Sequence, residues 1–458
     1  MTRFTVKAPK TLGLLAAAAL VLAASPAAAQ TIAIVNARIL TAGPAGEIPS
    51  GVVVIRDGRI QSVSAGGTAP AGARVIDAQG GVVTPGFFAT SSQLGGVEVG
   101  ALGNDLGVDN PDVSAAFDVS YGLDADSTVI PTARLGGITR AIVVPHTSGG
   151  GGGAHAHDDS GSADFAGSGP SSVSHALFAG QAAVIHLAEG TDILVKPRVG
   201  MVVPFGRAGA RISGGARGAE IVALKALLQD VRDYARNRDA VRRGGYREMS
   251  LSIADLEALV PVVEGRMPII AEVHKASDIR ALLRLAREEG LKVIVSGGEE
   301  AWKVAPDLAA AKVPVLLYPQ ANLPSSLEVR AATLENAARL DAAGVVVAIE
   351  AAEGAAHRAR ETRYNAGIAV ANGMPYDAAL RAVTINPARI FGVGDRVGSL
   401  EAGKEADVVV WNGDPFEPLT QPTAVFIRGE QQPMTARNLD LRDRYRNLNT
   451  AYPPAYTK

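Results

Sequence analysis

The sequence predicts an α/β protein: a distorted (β/α)8 TIM barrel with a small composite β-sandwich domain built from both chain ends. Three observations predict it. Short β-rich runs separated by turn signals fill residues 31–84. Apolar strands alternate with helices rich in Ala, Leu and Arg over residues 85–394, a pattern typical of parallel βαβ units. A β-rich texture returns in residues 395–433, so we expect the early and late strands to lie together beside the barrel.

The individual elements follow from hydrophobic periodicity and turn residues. The early strands are predicted at 32–35, 51–55, 59–63 and 74–77. The clearest barrel strands are predicted at 138–144, 268–273 and 292–295. Apolar positions spaced by three and four residues predict helices at 253–264, 277–289 and 333–343. The late strands are predicted at 398–400, 406–411 and 424–429.

The N-terminus has the pattern of an export signal. Arg3, Lys7 and Lys10 precede an apolar run at 12–24, which ends in small residues up to Ala29. This predicts a signal peptide over residues 1–29, cleaved after Ala29. The apolar run is shorter than the roughly 20 residues that span a bilayer. We therefore expect a periplasmic or secreted protein with no integral membrane segment after cleavage.

The composition excludes several classes of partner and of chemistry. Lys and Arg number 44 against 46 Asp and Glu, for a formal net charge of −2, so nucleic acid is not an expected partner. The absence of cysteine rules out disulfides, thiolate catalysis and cysteine-based zinc sites. The 458 residues suffice for an α/β barrel with an appended small domain.

Two segments fall outside the regular pattern. Residues 147–174 are rich in Gly and Ser and are predicted to form a loop inserted in the barrel, because this composition buries too little apolar surface to fold alone. His155 and His157 in this loop lack a rigid strand to preorganise them, which favours weak metal capture or no function. Residues 434–458 are predicted to be a polar C-terminal tail that wraps a neighbour or stays loose.

Three segments carry a resemblance to a known family. They are 75–80 leading into 82–87, then 384–391, and finally 398–410. Together they resemble the amidohydrolase superfamily, in particular its imidazolonepropionase-like and exported members. The resemblance implies a hydrolase that acts on carbon–nitrogen bonds other than peptide bonds, in a small-molecule ligand bound in the barrel cavity. It also implies a divalent metal, zinc or similar, and a homo-oligomer, since such barrels often form dimers or larger assemblies.

The metal ligands that the resemblance implies are mostly replaced. The family places two histidines, spaced by two residues, at the end of the first barrel strand, and here these positions are Ser91 and Gln93. Both are poorer ligands than imidazole, so we consider them as substrate-binding residues. His274 matches the histidine of the fifth strand. The next strand ends in Ser296 and glycines, where the family places another histidine.

The catalytic aspartate of the family aligns with Ala352, and Glu350 and Glu353 are the nearby carboxylates that remain candidates for its role. A relocated metal site is the alternative to a lost one. His146 and His274 both follow predicted strands at the C-terminal rim, where barrels keep their active sites. Glu98, Glu272 or Glu350 would be the carboxylate of such a site.

Other polar residues are considered beside this set. His186 also follows a short apolar run, at 182–185, and Lys404 and Asp407 resemble catalytic groups but belong to the predicted sandwich, where we expect structural roles. Two functions therefore remain open: a hydrolase, or a catalytically inactive periplasmic binding or scaffold protein that has lost the metal site. A closed, well-packed rim in which Ser91 and Gln93 are hydrogen-bonded to neighbours would favour a binding or structural role. A polar cleft with His274, another histidine and a carboxylate within ligand reach would favour an enzyme.

Overall fold

The computed structural model describes residues 31–98, 105–108, 110, 112–146, 177–351 and 356–446. The predicted signal peptide (1–29), the inserted loop (147–174) and the end of the predicted tail (447–458) lie outside these residues. Within the described ranges, none of the helices combines the length and the apolar composition that crossing a bilayer requires.

The structure has the alternating pattern that the sequence predicts. The strands are β1 (Ile32–Leu40), β2 (Glu47–Arg56), β3 (Arg59–Ala65), β4 (Arg74–Asp77), β5 (Val82–Pro85), β6 (Phe87–Ser92), β7 (Ile138–Val143), β8 (Gly180–His186), β9 (Leu194–Pro204), β10 (Ile269–Val273), β11 (Val293–Gly297), β12 (Val315–Leu317), β13 (Val347–Ile349), β14 (Val408–Trp411), β15 (Pro422–Ile427) and β16 (Glu430–Gln431). The helices are α1 (Val129–Arg134), α2 (Arg207–Ile212), α3 (Arg217–Arg242), α4 (Ile253–Val263), α5 (Ala276–Glu289), α6 (Ala305–Ala311), α7 (Asn336–Ala342), α8 (Thr362–Ala371), α9 (Tyr376–Ala382), α10 (Ile385–Ile390) and α11 (Arg437–Arg446). Short 3-10 helices cover Val119–Gly122, Ala301–Val304, Pro319–Ala321, Leu327–Val329 and Ala356–Glu361.

The barrel sheet contains β6 to β13 in sequence order. Thr90 of β6 pairs in parallel with Glu350 after β13, and the Ala351 N–H donates to the Thr90 carbonyl at 3.0 Å, which closes the sheet on itself. β9 to β13 are mutually parallel, and so are β6 and β7. The predicted (β/α)8 barrel is confirmed.

One strand of this barrel is inverted. β8 runs antiparallel to both β7 and β9, and its last residue, His186, pairs with Arg140 near the beginning of β7. His186 therefore lies at the opposite end of the barrel from His146 and His274. Its grouping with the strand-end histidines was wrong, because an apolar run does not encode the direction in which its strand enters a sheet.

The second sheet joins the two ends of the chain. Its strands have the order β16–β15–β14–β5–β1–β2–β3, with β4 also paired to β1. β14 runs antiparallel to β5, with Val409 opposite Thr84. The side chains on one face form an apolar core that includes Ile34, Val53 and Phe426. The predicted pairing of early with late strands is confirmed, but residues 398–400, predicted as one of the late strands, lie outside the strands of the structure.

An aromatic contact connects the second sheet to the barrel. Trp411 of β14 is fully buried, stacks on Phe87 of β6 with ring centroids 5.3 Å apart, and donates its indole N–H to Thr84. Gly137 lies against this indole with φ at +78°, and a Cβ atom there would come within 2.3 Å of the ring. Glycine is therefore required both by the backbone conformation and by the close approach.

A buried ion-pair network makes the second connection. Arg140 of β7 is 1% exposed and donates to Asp407 at 2.6 Å and to Glu405 at 2.7 Å. Asp407 also accepts the backbone N–H of Arg428 at 2.9 Å. The carboxylate that resembled a catalytic group thus has its contacts within the junction of the barrel and the second sheet.

This network predicts a large and specific loss of stability. Arg140→Met leaves the carboxylates of Glu405 and Asp407 buried beside an apolar side chain, so we expect the free energy of unfolding to fall by about 3–5 kcal/mol in denaturant titrations. Arg56→Met, which removes an exposed arginine 3.9 Å from Asp57, is the matched control and should change it by less than about 1 kcal/mol. Equal effects of the two substitutions would contradict the assigned role.

Candidate active site

Polar side chains converge where four barrel strands end. Ser91 belongs to the end of β6, Glu272 to the end of β10, Ser296 to the end of β11, and Glu350 follows β13. Parallel strands bring their carboxyl ends to one rim of a barrel, which is where barrel enzymes place their functional groups. His274 follows β10 directly and joins the same rim.

Glu350 is the buried carboxylate of this cluster. It is 4% exposed, and its Oε1 accepts the hydroxyl of Ser91 at 2.7 Å and the hydroxyl of Ser296 at 2.5 Å. Burial raises the pKa of Glu350 to about 7; the hydroxyls of Ser296 and Ser91 oppose this rise, whereas the nearby Glu299 and Glu272 add to it. Its protonation therefore changes near neutral pH, as suits a general acid or base.

His274 and two further carboxylates form the more open part of the cluster. The ring Nδ1 of His274 lies 2.7 Å from Glu299, its Nε2 lies 3.8 Å from Glu272, and its side chain is 31% exposed. Burial raises the pKa of Glu272, Glu299 adds to the rise, and His274 opposes it. Gly297 has φ at +87°, and a Cβ atom there would lie 2.7 Å from Nδ1, so only glycine leaves room for the contact between His274 and Glu299.

Gln93, two residues after Ser91, forms a second polar contact, with His146. The amide nitrogen of Gln93 lies 2.7 Å from Nε2 of His146. An amide nitrogen only donates, so the ring Nε2 accepts and the proton of the neutral ring is on Nδ1. Burial lowers the pKa of His146, which favours this neutral form.

The backbone of Ser91 is left-handed, with φ at +52°. This conformation costs a residue with a Cβ atom about 1–2 kcal/mol relative to ordinary backbone. The pairing of β6 with β7 also shifts register between Ala89 and Ser92. Such bulges turn a side chain away from the regular alternation of a strand, and this one accompanies the contact of Ser91 with Glu350.

The structure brings some predicted residues together and separates others. Ser91 meets Glu350, and Gln93 meets His146. The carboxylate of Glu98 accepts the backbone N–H and the hydroxyl of Thr128 at the beginning of α1. Glu353 lies outside the described residues, as do the histidines of the inserted loop.

Two residues of the cluster were missed by the sequence analysis. Ser296 was considered only as the place where a family histidine is absent, and Glu299 was not considered. Both follow the apolar run of β11, and the end of a barrel strand is the signal that would have found them.

The donor set does not match the metal centre that the resemblance implies. The hydroxyl of Ser91 donates to Glu350, the amide of Gln93 donates to His146, and His274 contacts Glu299. Over the ranges that the structure describes, no three His, Cys, Asp or Glu side chains are grouped so that they could hold a metal ion. The metal roles of His146 and His274 stay predictions, and no step proposed below uses a metal.

Comparisons with known proteins agree with the fold. Residues 283–435 match the model of the family described as Amidohydrolase family. The amidohydrolase from Thermotoga maritima MSB8 has a similar solved structure, with a TM-score of 0.73 and 25% identity, over 89% of this chain and 100% of that chain.

Two curated relatives match shorter stretches. Amidohydrolase tasK from Hapsidospora irregularis is 47% identical over 60 residues, which are 13% of this chain and 6% of the relative. A 5'-deoxyadenosine deaminase from Methanococcoides burtonii is 49% identical over 65 residues, 14% of this chain and 15% of the relative. The matches thus span a small part of these relatives' lengths.

The raised pKa of Glu350 predicts a pH-dependent stability. Between its ordinary pKa of 4.5 and the folded value of about 7, the folded state keeps the proton and the unfolded state has lost it, so stability falls as pH rises. The contribution amounts to about 3 kcal/mol across this window. Denaturant titrations from pH 4.5 to 7 should show that Glu350→Gln removes this part of the slope.

The difference in pH slope between wild type and Glu350→Gln reports the titration of Glu350 separately from that of other groups. Glu220, whose pKa burial also raises to about 7, contributes equally to both proteins. Glu335→Gln changes an exposed carboxylate on the surface and should leave the slope unchanged. A slope that is the same in wild type and Glu350→Gln would show that Glu350 titrates near its ordinary pKa.

Proposed function

We propose that this chain, whose residues 283–435 match the amidohydrolase family model, is a hydrolase of a carbon–nitrogen bond other than a peptide bond. The observation that carries the proposal is the carboxylate of Glu350, which is buried at the C-terminal rim of the barrel and accepts the hydroxyls of Ser91 and Ser296; burial raises its pKa to about 7. The substrate is a small molecule bound in the barrel cavity, of the cyclic amide, amidine or acylated amino acid classes. The name of the deaminase relative, which also denotes cleavage of a carbon–nitrogen bond, supports this choice.

The chemistry assigned to this chain is acid–base chemistry. Hydrolysis of an amide needs a group that removes a proton from the attacking oxygen and returns one to the leaving nitrogen. Glu350 serves both steps, because a carboxyl group that titrates near neutral pH exists in both forms there. Ser91 and Ser296 set the orientation of Glu350, because both hydroxyls donate a hydrogen bond to its Oε1. His274, oriented by Glu299 and partly exposed, binds the polar part of the substrate.

The second candidate function is a non-enzymatic binding or scaffold protein. It is favoured by one observation, namely that the two side chains at the family's histidine positions have neighbours as partners, Glu350 for Ser91 and His146 for Gln93. Side chains that are already hydrogen-bonded to one another can line a binding cavity, but they are less able to activate a water molecule for hydrolysis. Turnover separates the two candidates.

An activity assay that combines a chelator with the variant Glu350→Gln tests the proposed acid–base chemistry. Protein purified without residues 1–29 and treated with a chelator is assayed with cyclic amides, amidines and N-acyl amino acids for the formation of a free amino group or of ammonia. We expect turnover of one class that survives the chelator, because no proposed step uses a metal. Glu350→Gln should lower kcat by about 10²–10⁴-fold, the usual contribution of a general acid or base.

The surface variant Glu335→Gln is the control in this assay and should keep wild-type kcat. Binding of a substrate without turnover would favour the second candidate. Turnover that disappears with the chelator and returns with zinc would mean that the relocated metal site exists, and the proposed acid–base role of Glu350 alone would be wrong.

We propose that the protein acts in the periplasm or outside the cell, on a small-molecule ligand and as a homo-oligomer, without nucleic acid. The export proposal rests on the basic and apolar pattern of residues 1–29. Protein recovered from the periplasm or medium of cells that express the whole chain should have an N-terminus that begins at Gln30. A mature chain that keeps residues 1–29 and stays in the cytoplasm would contradict the proposal.

A further inference from the structure

Three neighbouring hydroxyls at the end of β6 have different partners. Thr90 donates its hydroxyl to the carbonyl of Ile349 at 2.6 Å, and the hydroxyl of Ser92 accepts the backbone N–H of Leu94 at 3.2 Å. The hydroxyls of Thr90 and Ser92 are thus hydrogen-bonded to backbone groups. The hydroxyl of Ser91 instead donates to the carboxylate of Glu350 at 2.7 Å.

The contact of Ser91 with Glu350 has the geometry of a nucleophile and its base. A serine hydroxyl is a weak nucleophile until a base within hydrogen-bond distance accepts its proton. The backbone of Ser91 is left-handed at a register shift of β6, and such a bulge turns a side chain away from the regular alternation of a strand. The exposed fraction of Ser91 is 9% and that of Glu350 is 4%, so the serine is the member of the pair that a ligand reaches more easily.

We propose that Ser91 is a catalytic nucleophile that Glu350 activates, so that hydrolysis proceeds through a covalent acyl-serine. The identity of the substrate rests on the function proposed above, but the reactivity of Ser91 does not. Ser296, which donates to the same oxygen of Glu350 at 2.5 Å, is a positioning residue for the base.

The reaction balances with one carboxylate. Glu350 takes the proton of the Ser91 hydroxyl as Oγ forms a bond to the carbonyl carbon of the amide. The carbon–nitrogen bond then breaks, and the leaving nitrogen takes the proton from Glu350. Water next gives its proton to Glu350 and attacks the ester carbonyl carbon. The bond from Oγ to carbon breaks, and Oγ recovers the proton, so that amide and water yield acid and amine.

The test is covalent labelling with a fluorophosphonate, which forms a bond from serine oxygen to phosphorus and releases fluoride. We expect one adduct per chain, assigned to Ser91 rather than Ser92 by peptide fragmentation. Glu350→Gln should slow the labelling by about 10²-fold or more, since the base is lost. Ser92→Ala, which changes the adjacent buried serine outside this dyad, should label as fast as wild type.

Ser91→Gly guards against a variant that fails to fold, because glycine accepts a φ of +52° without strain. It should fold, as shown by an unchanged circular dichroism spectrum, and take no label. Wild-type protein without an adduct at Ser91, or Glu350→Gln that labels at the wild-type rate, would overturn the proposal.

Different outcomes would contradict the covalent role of Ser91 and the proposed hydrolysis of a carbon–nitrogen bond. Amide hydrolysis that survives in Ser91→Gly would overturn the covalent route and leave the proposed function standing. An adduct at Ser91 in a protein that hydrolyses none of the tested amides would support the reactive serine and contradict the proposed substrate classes.

Discussion

The closure of the barrel between its first and last strands is the constraint on which the site depends. Thr90 accepts the N–H of Ala351 through its carbonyl and donates its hydroxyl to the carbonyl of Ile349. These bonds fix the last strand against the first at one register. The residue after Thr90 and the residue after Ile349 are then neighbours, so Ser91 meets Glu350 because the barrel closes in this register and no other.

Buried carboxylates serve two purposes in this protein, and their partners distinguish them. Glu405 lies at the junction of the two sheets, where burial alone would raise its pKa, but Arg140 and Arg396 lower the pKa below its ordinary value. Burial raises the pKa of Glu350 to about 7, because the hydroxyls of Ser296 and Ser91 offset the cost of burying its charge only in part. The arginines keep Glu405 ionised at the junction, whereas Glu350, at the rim of the barrel, exchanges a proton near neutral pH.

The overall fold and the contacts of the rim residues are separate kinds of evidence about this chain. The barrel, the two-ended sheet and the similarity to the Thermotoga maritima amidohydrolase extend over most of the chain. The first strand nevertheless ends in Ser91 and Gln93, whose contacts are with Glu350 and His146. A shared fold does not fix the function of its sites, and the chemistry of this rim has to be derived from the residues that occupy it.

The sequence predicted many of the strands and helices and the pairing of the early with the late strands, because hydrophobic periodicity and turn residues are local signals. It also supplied Glu350, Ser91 and His274 as candidates. Three features are visible only in the folded chain: β8 runs antiparallel, Glu299 contacts His274, and the hydroxyl of Ser91 donates to Glu350, 259 residues away. The direction of a strand and the partner of a side chain depend on contacts between distant segments, and local patterns do not encode those contacts.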